Sequence, residues 1–301
     1  MATIKYVPLE EELKRNPELR KEDIEALREW CEKQPHLPKM TDSELVIFLH
    51  SNYYLMEPTK STIENYYTSR THLPEFFSNR DPIGSKELRE AMKIGIYVPL
   101  KGTTKEGYRI IYSRLTDLEP SHFVYNDMMK LYNMVMDLFI LHEGAYKGHI
   151  ILMDMQGLLI SHAGRLSPLG IKKYLYYLQE ALPVRLKGLH FMNSVPVMDI
   201  ILSMMKPFMK KELMDVLHIH SNKESLAKFI PIEILPNEAG GNAGTIPELR
   251  SNCLKNIEEH RAWFIEEEAT RRVNESLRPG KGKTATELFG AEGSFKKLDI
   301  D

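Results

Sequence analysis

The chain has 301 residues, 43% hydrophobic and 27% charged, with a formal net charge of −2. This size can bury one large or two modest cores, and the near-neutral balance gives no global field for nucleic acid, so phosphate binding would fall to local basic patches. Two cysteines, Cys31 and Cys253, make no disulfide framework and fit a reducing compartment. The opening MATIKYVPLEEELKR has no apolar run of a secretory signal, and no stretch reaches the ~18 apolar residues of a membrane span. The expectation is a cytoplasmic protein.

In chain order, residues 17 to about 93 read as helices. NPELRKEDIEALREWCEK puts Ile24, Leu27 and Cys31 on one face. Thr41–Glu44 (TDSE) is a capping box opening LVIFLHSNYYL. Thr59 starts TKSTIENYYTSRTHL, and SKELREAMKIG is a further short helix. Tyr108–Ser113 then alternates as a strand, and His122–His142 reads as a long apolar helix. GHIILMDM (Gly148–Met155) is a nearly continuous apolar strand, as expected when both faces are covered. Ser167-Pro168 opens PLGIKKYLYYLQEAL; LKGLHFMN and VLHIH are strands; SNKE caps the short helix ESLAKFI. Strand–helix–strand alternation predicts an α/β fold with a mostly parallel sheet. Ile246–Leu277 reads as one charged helix, RPGKGKTA as a flexible linker, and Leu288, Phe289, Phe295, Leu298 and Ile300 as anchors of a tail that docks or frays.

The segment Val195–Met209, VPVMDIILSMMKPFM, stands apart. Asp199, Ser203 and Lys206 form one narrow polar stripe at i, i+4 and i+7, and the rest of the helix is apolar. One apolar stripe suffices to dock a helix, and this one is too short to span a bilayer. The surplus suits a lid, with one side on the protein and the other on a lipid or membrane surface. The sixteen methionines of the chain fit adaptable apolar surfaces.

Signatures of catalysis are missing: no GxSxG, GxxxxGK[ST], GxGxxG, HExxH or CxxC occurs. His218 and His220 share a strand face without a third metal ligand nearby, so structural histidines are the better reading and no metal or cofactor is expected. Asp154 ends a strand, where α/β enzymes often keep a carboxylate, but capping of the turn MDMQG is favoured. His162 has no accompanying nucleophile. Gly240, Gly241 and Gly244 read as a turn.

HIILMDMQGLLISHA, LPVRLKGLHFMNSVPVMDIILSMMKPFM and LHIHSNKESLAKFIPIEILPNEAGG together resemble the lipid-binding domain of the CRAL-TRIO family, in its tocopherol-transfer and retinaldehyde-binding branch. The ending ELFGAEGSFKKLDID is similar to tails of insect members. The resemblance implies a helical N-terminal domain (10–95), a lipid-binding domain (96–245) with a mobile gate helix, and a C-terminal helix and tail (246–301). It implies no enzyme and no cofactor, but binding and transfer of a hydrophobic lipid of tocopherol, retinoid or carotenoid type, released when the gate opens at a membrane. A phospholipid or phosphoinositide exchanger or sensor is the alternative.

Carried over position by position, the resemblance places Met128, Leu131, Tyr132 and Val135 of the long helix on the ligand. It adds His149, Ile151 and Met153 of the central strand, then Leu158 and Ile160, where relatives carry large aromatics. Tyr177, Leu178 and Leu182 follow, with Leu189 and Phe191 of the next strand and Ile201, Met204, Met205 and Met209 of the gate. Arg185, Lys187, Lys206 and Lys210 fall in a basic cluster implied to touch phosphoinositides at a membrane surface; Glu212 and Val216 replace two of its cations.

Overall fold

A computed structural model describes residues 4–194 and 196–290, so Val195 and the tail anchors Phe295, Leu298 and Ile300 lie outside the described residues. Six helices come first: α1 (Leu9–Arg15), α2 (Lys21–Glu32), α3 (Asp42–Ser51), α4 (Met56–His72), α5 (Pro74–Phe77) and α6 (Lys86–Ile94). The middle of the chain holds β1 (Gly95–Thr103), β2 (Arg109–Leu115), α7 (Tyr125–Glu143), β3 (His149–Asp154), α8 (Ile160–Ala163), α9 (Pro168–Glu180), β4 (Leu186–Met192), α10 (Val197–Met205), α11 (Lys211–Asp215) and β5 (Leu217–Ile219). Helices α12 (Lys223–Leu226), α13 (Ile246–Glu259), α14 (Arg261–Thr270) and α15 (Ala285–Phe289) complete it.

Local chemistry sets many of these boundaries. The Thr41–Glu44 box forms in both directions: Glu44 N–H donates to the Thr41 hydroxyl, and Thr41 N–H donates to the Glu44 carboxylate at 2.7 Å. Ser167 caps α9 by accepting from Gly170 N–H at 3.2 Å, with Pro168 at the first helical position, where its missing N–H costs nothing. Before α12 the cap is Asn222 rather than Ser221, accepting from Ser225 N–H at 2.9 Å. Helix α4 starts at Met56, three residues before Thr59.

The sheet has the order β1-β2-β3-β4-β5, with β1 antiparallel to β2 and every other pair parallel. Parallel strands laid down in sequential order by right-handed crossovers send their connecting helices to one face. That face carries α7, α9 and α10, packed with Ile111, Ile151, Leu189 and Phe191 in one core. The alternate residues Ile110, Ile150 and Leu152 enter a second core with Leu226, Ile230 and Leu235 on the opposite face. A third core, with Leu27, Leu45 and Ile63, belongs to α2–α4.

Three further expectations are corrected, and the choice left open for the tail is resolved at Phe289. The first strand, β1, was absent from the sequence reading; it carries Pro99, and its ladder slips between Pro99 and Thr103, as an edge strand allows. The single helix expected over Ile246–Leu277 breaks at His260. Its Nδ1 lies 2.8 Å from the Asn256 carbonyl, which also accepts its backbone N–H, and α14 begins at Arg261. RPGKGKTA is tied down: Arg278 donates to Glu64 at 2.7 Å and to the Thr68 hydroxyl at 2.9 Å, and Lys283 N–H donates to Glu275 at 2.9 Å. Phe289 docks, buried edge-on against Tyr176.

A buried ion cluster joins the helical N-terminal part to the helices over the sheet. Arg70 and Arg80, both with no exposed side chain, each bridge Asp137 of α7 and Glu267 of α14. Burial opposes ionisation of Glu267, but Arg80, Arg70 and Arg272 outweigh it and hold the carboxyl below its ordinary range.

Candidate functional site

Between the sheet and its helices lies a cavity of about 170 Å³. Its floor is built from residues of one strand face: Ser113 and Leu115 of β2, Ile151 and Met153 of β3, and Leu189 and Phe191 of β4. Its walls are Met129 and Tyr132 of α7 and the stripe Ile171, Tyr174, Leu175 and Leu178 of α9, spaced i, i+3, i+4 and i+7. Ile201 and Met205, one turn apart on α10, close one side, and Phe123, Tyr125, Leu158, His162 and Leu166 close another. Tyr97, Arg114, Asp154 and Met155 complete the lining.

Most polar groups of the lining are partnered. Asp154 accepts from Gln156 N–H at 3.0 Å, Asn193 at 2.8 Å and the Tyr112 hydroxyl at 2.7 Å, so it caps its turn and ties β2 to β4. Arg114 reaches Asp154 at 3.4 Å. Ser113 donates to the Leu152 carbonyl at 3.3 Å, and Tyr174 donates to Asn133 at 3.4 Å. The Tyr132 hydroxyl and His162 Nε2 are buried with no partner among the described residues.

Of the residues placed on a ligand by resemblance, the structure brings Tyr132, Ile151, Met153, Leu158, Leu178, Leu189, Phe191, Ile201 and Met205 together around the cavity. The others lie elsewhere. Leu131 and Val135 face α13 across a crevice of about 10 Å³, because they sit on the other side of α7 from Met129 and Tyr132. Met128 packs towards Gly95. His149 is fully buried at the start of β3, with Nδ1 3.0 Å from the Tyr146 hydroxyl, and burial pulls its pKa down to about 3. Tyr177 points away, its hydroxyl accepting from Arg70 at 3.4 Å and its ring on Phe77. Leu182 and Met209 are buried in the surrounding core, Met204 is half-buried, and Ile160 is 67% exposed. The stripe of α9 has helical spacing and the alternation of β2 is visible over Tyr108–Ser113, whereas the rotation of α7 and the contribution of β1 had no local signal.

Helix α10 has one buried side and one partly exposed side. Val197, Met198, Leu202 and Met205 are buried, while Ile200 is 41% exposed beside half-buried Ile201 and Met204. The basic residues are mostly engaged. The Arg185 guanidinium lies 4.2 Å from the ring centre of Tyr53 and donates to the His50 carbonyl at 2.7 Å. Lys187 donates to the Tyr53 hydroxyl at 2.8 Å, Lys210 pairs with Glu180, and Lys206 is exposed. His218 and His220 meet His190, whose Nδ1 lies 2.9 Å from His220 Nε2. Burial, then the neighbouring His218 and His220, lowers the His190 pKa to about 3. No group of three potential ligands is arranged for a metal ion among the described residues, and no described helix is long and apolar enough to cross a membrane.

A sheet with all its crossover helices on one face and an apolar void between them defines a small-molecule-binding α/β domain. Comparison with known proteins identifies it: the CRAL/TRIO domain model matches residues 94–241, and a Pinta-like, UBA domain model matches residues 16–87. Human alpha-tocopherol transfer protein-like is 30% identical over 248 residues, 81% of this chain and 72% of that protein. Rat clavesin-2 is 23% identical over 237 residues, 76% of this chain and 71% of that protein. The crystal structure of Sfh5 aligns at a TM-score of 0.45 and 13% identity, covering 69% of this chain and 74% of that one. The chain belongs to the CRAL/TRIO family of lipid-binding and transfer proteins.

Proposed function

We propose that this protein binds and transfers an uncharged hydrophobic lipid of the tocopherol, retinoid or carotenoid type, held in the cavity over β2–β4 and covered by α10. The carrying observation is the nearly wholly apolar wall, whose one described cation, Arg114, is already held by Asp154. Burying a charged head group there would leave it without a counter-charge, at a cost of several kcal/mol. The similarity to alpha-tocopherol transfer protein-like supports the same class of cargo.

The void of about 170 Å³ is near the ~150 Å³ that accepts a benzene ring. A longer cargo therefore displaces wall side chains. Met129, Met153, Met155 and Met205 are suited to it, being unbranched and able to repack at low cost. Fifteen buried methylenes at about 0.8 kcal/mol each supply roughly 12 kcal/mol, of which association and ordering consume about half. The remaining ~6 kcal/mol corresponds to a dissociation constant of about 40 μM, reached without covalent chemistry and tightened by each further methylene the wall accommodates.

Loading requires the cover to move. In this reading α10 swings out when its exposed side, Ile200 with Ile201 and Met204, meets a membrane. The test is transfer of a fluorescent tocopherol between neutral vesicles: the protein accelerates it, whereas a protein that binds no such probe removes the proposal. Phospholipid or phosphoinositide exchange is the second reading, favoured by the cations Arg185, Lys187, Lys206 and Lys210. Native mass spectrometry showing a charged glycerolipid at fixed stoichiometry would select it.

A further inference from the structure

We propose that His162 is the polar anchor of the cavity, donating a hydrogen bond from Nε2–H to an uncharged oxygen of the cargo. The chemical class is then a lipid bearing a carbonyl, ester, ether or hydroxyl oxygen, preferred over a pure hydrocarbon. The inference rests on the cavity being a lipid site, as proposed above.

The tautomer follows from geometry. The backbone N–H of Leu159 lies 3.0 Å from His162 Nδ1. An amide N–H can only donate, so Nδ1 is the acceptor and carries no proton. A neutral ring with a bare Nδ1 holds its hydrogen on Nε2. Burial lowers the His162 pKa, and an N–H aimed at Nδ1 favours the same neutral ring. Nε2 is therefore a donor, not an acceptor.

That donor is idle. His162 is 2% exposed, and Nε2 has no partner among the described residues. The ring lines the cavity beside Leu158 and Leu166, with Phe123 edge-on at 6.0 Å. Buried donors are nearly always paired, and an orphan points to a group that arrives later. Asp154, the acceptor that also lines the cavity, already accepts from Tyr112, Asn193 and Gln156. The Tyr132 hydroxyl, also unpartnered, gives the cargo oxygen a second contact that can donate or accept.

The test uses a matched pair, 2-hexadecanone and hexadecane, each displacing the lipophilic fluorophore N-phenyl-1-naphthylamine from the full chain. Wild type is expected to prefer the ketone. His162→Leu is expected to lower the ratio of ketone to hydrocarbon affinity about 3- to 10-fold, and His162→Gln, which keeps an N–H donor, to restore part of that ratio. If His162→Leu binds both compounds as wild type does, His162 is structural and the inference fails while the cavity reading stands. If neither compound displaces the fluorophore from wild type, the cavity reading fails and takes the inference with it. A second measurement needs no variant: the His162 Nε2 resonance in the wild-type protein should shift with ketone and not with hydrocarbon, and equal response to both would overturn the anchor.

Discussion

Replacing Arg70 by Met tests whether the buried ion cluster holds the helical N-terminal part to the domain. Arg70 donates to Glu267 at 2.9 Å and to Asp137, and its guanidinium lies 4.3 Å from the ring of Tyr66 and 4.7 Å from that of Phe77. Arg80 holds the other oxygens of the same two carboxylates. Methionine fills much of the volume but removes one of the two cations bridging both acids. Glu267 keeps Arg272 at 2.8 Å, so the deficit falls on Asp137, which is left with Arg80. Breaking a buried pair from one side costs about 3–5 kcal/mol, out of a total stability of about 5–15 kcal/mol for a typical domain. Urea unfolding should therefore show a midpoint lowered by that loss divided by the slope, with the slope unchanged. The double variant Arg70→Met with Asp137→Leu removes one charge of each sign and should cost less than Arg70→Met alone. A loss under about 1 kcal/mol in the single variant, or a double variant worse than the single one, would refute the reasoning.

Three further outcomes are expected. Met205→Asp puts a carboxylate on the cavity side of α10 and should abolish retention of a bound lipid with the far-UV circular dichroism kept; unchanged retention removes α10 from the site. His149, with its pKa pulled down to about 3 by burial, stays neutral in the fold while the unfolded chain takes up a proton below about pH 6.5. Its contribution is full above that pH and is lost by about 1.4 kcal/mol per pH unit as pH falls towards 3, so unfolding of His149→Phe at pH 7, 6 and 5 should be less pH-dependent than wild type by about that slope; equal slopes contradict it. Tyr53→Asn, chosen because Tyr53 has a φ of 54° that Asn tolerates, frees Lys187 and uncovers one face of Arg185, which keeps the His50 carbonyl, and should tighten co-sedimentation with anionic vesicles; unchanged binding means those cations already face solvent.

The parallel sheet was legible because β3 is an almost unbroken apolar run and α9 opens on a Ser-Pro cap, both local signals. Strand β1 was not, because Pro99 breaks its donor pattern and it pairs at an edge. The break at His260 was hidden since neither proline nor glycine marks it; a side chain competing for the Asn256 carbonyl does. Of the strand residues, Ile151, Met153, Leu189 and Phe191 line the cavity because alternation assigns their faces, whereas His149, on the same face of β3, lies beyond it against Tyr146. Helix α7 is buried through Met128 to Ile140, so apolarity cannot tell which side meets the void and which meets α13. His162 carried no pattern of its own, since its significance depends on a backbone N–H three residues earlier and on an empty volume. The Arg70–Glu267 contact spans 197 residues, a separation no periodicity reports.

The central claim, a carrier with an apolar chamber under α10, is tested most directly by a crystal structure of the protein isolated with its native cargo and without added lipid. The account predicts continuous non-protein density bounded by Tyr132, Phe191 and Met205, with one oxygen within hydrogen-bond distance of His162 Nε2. Side chains closing that space completely in every crystal form, with no lipid recovered from the same preparation, would contradict it.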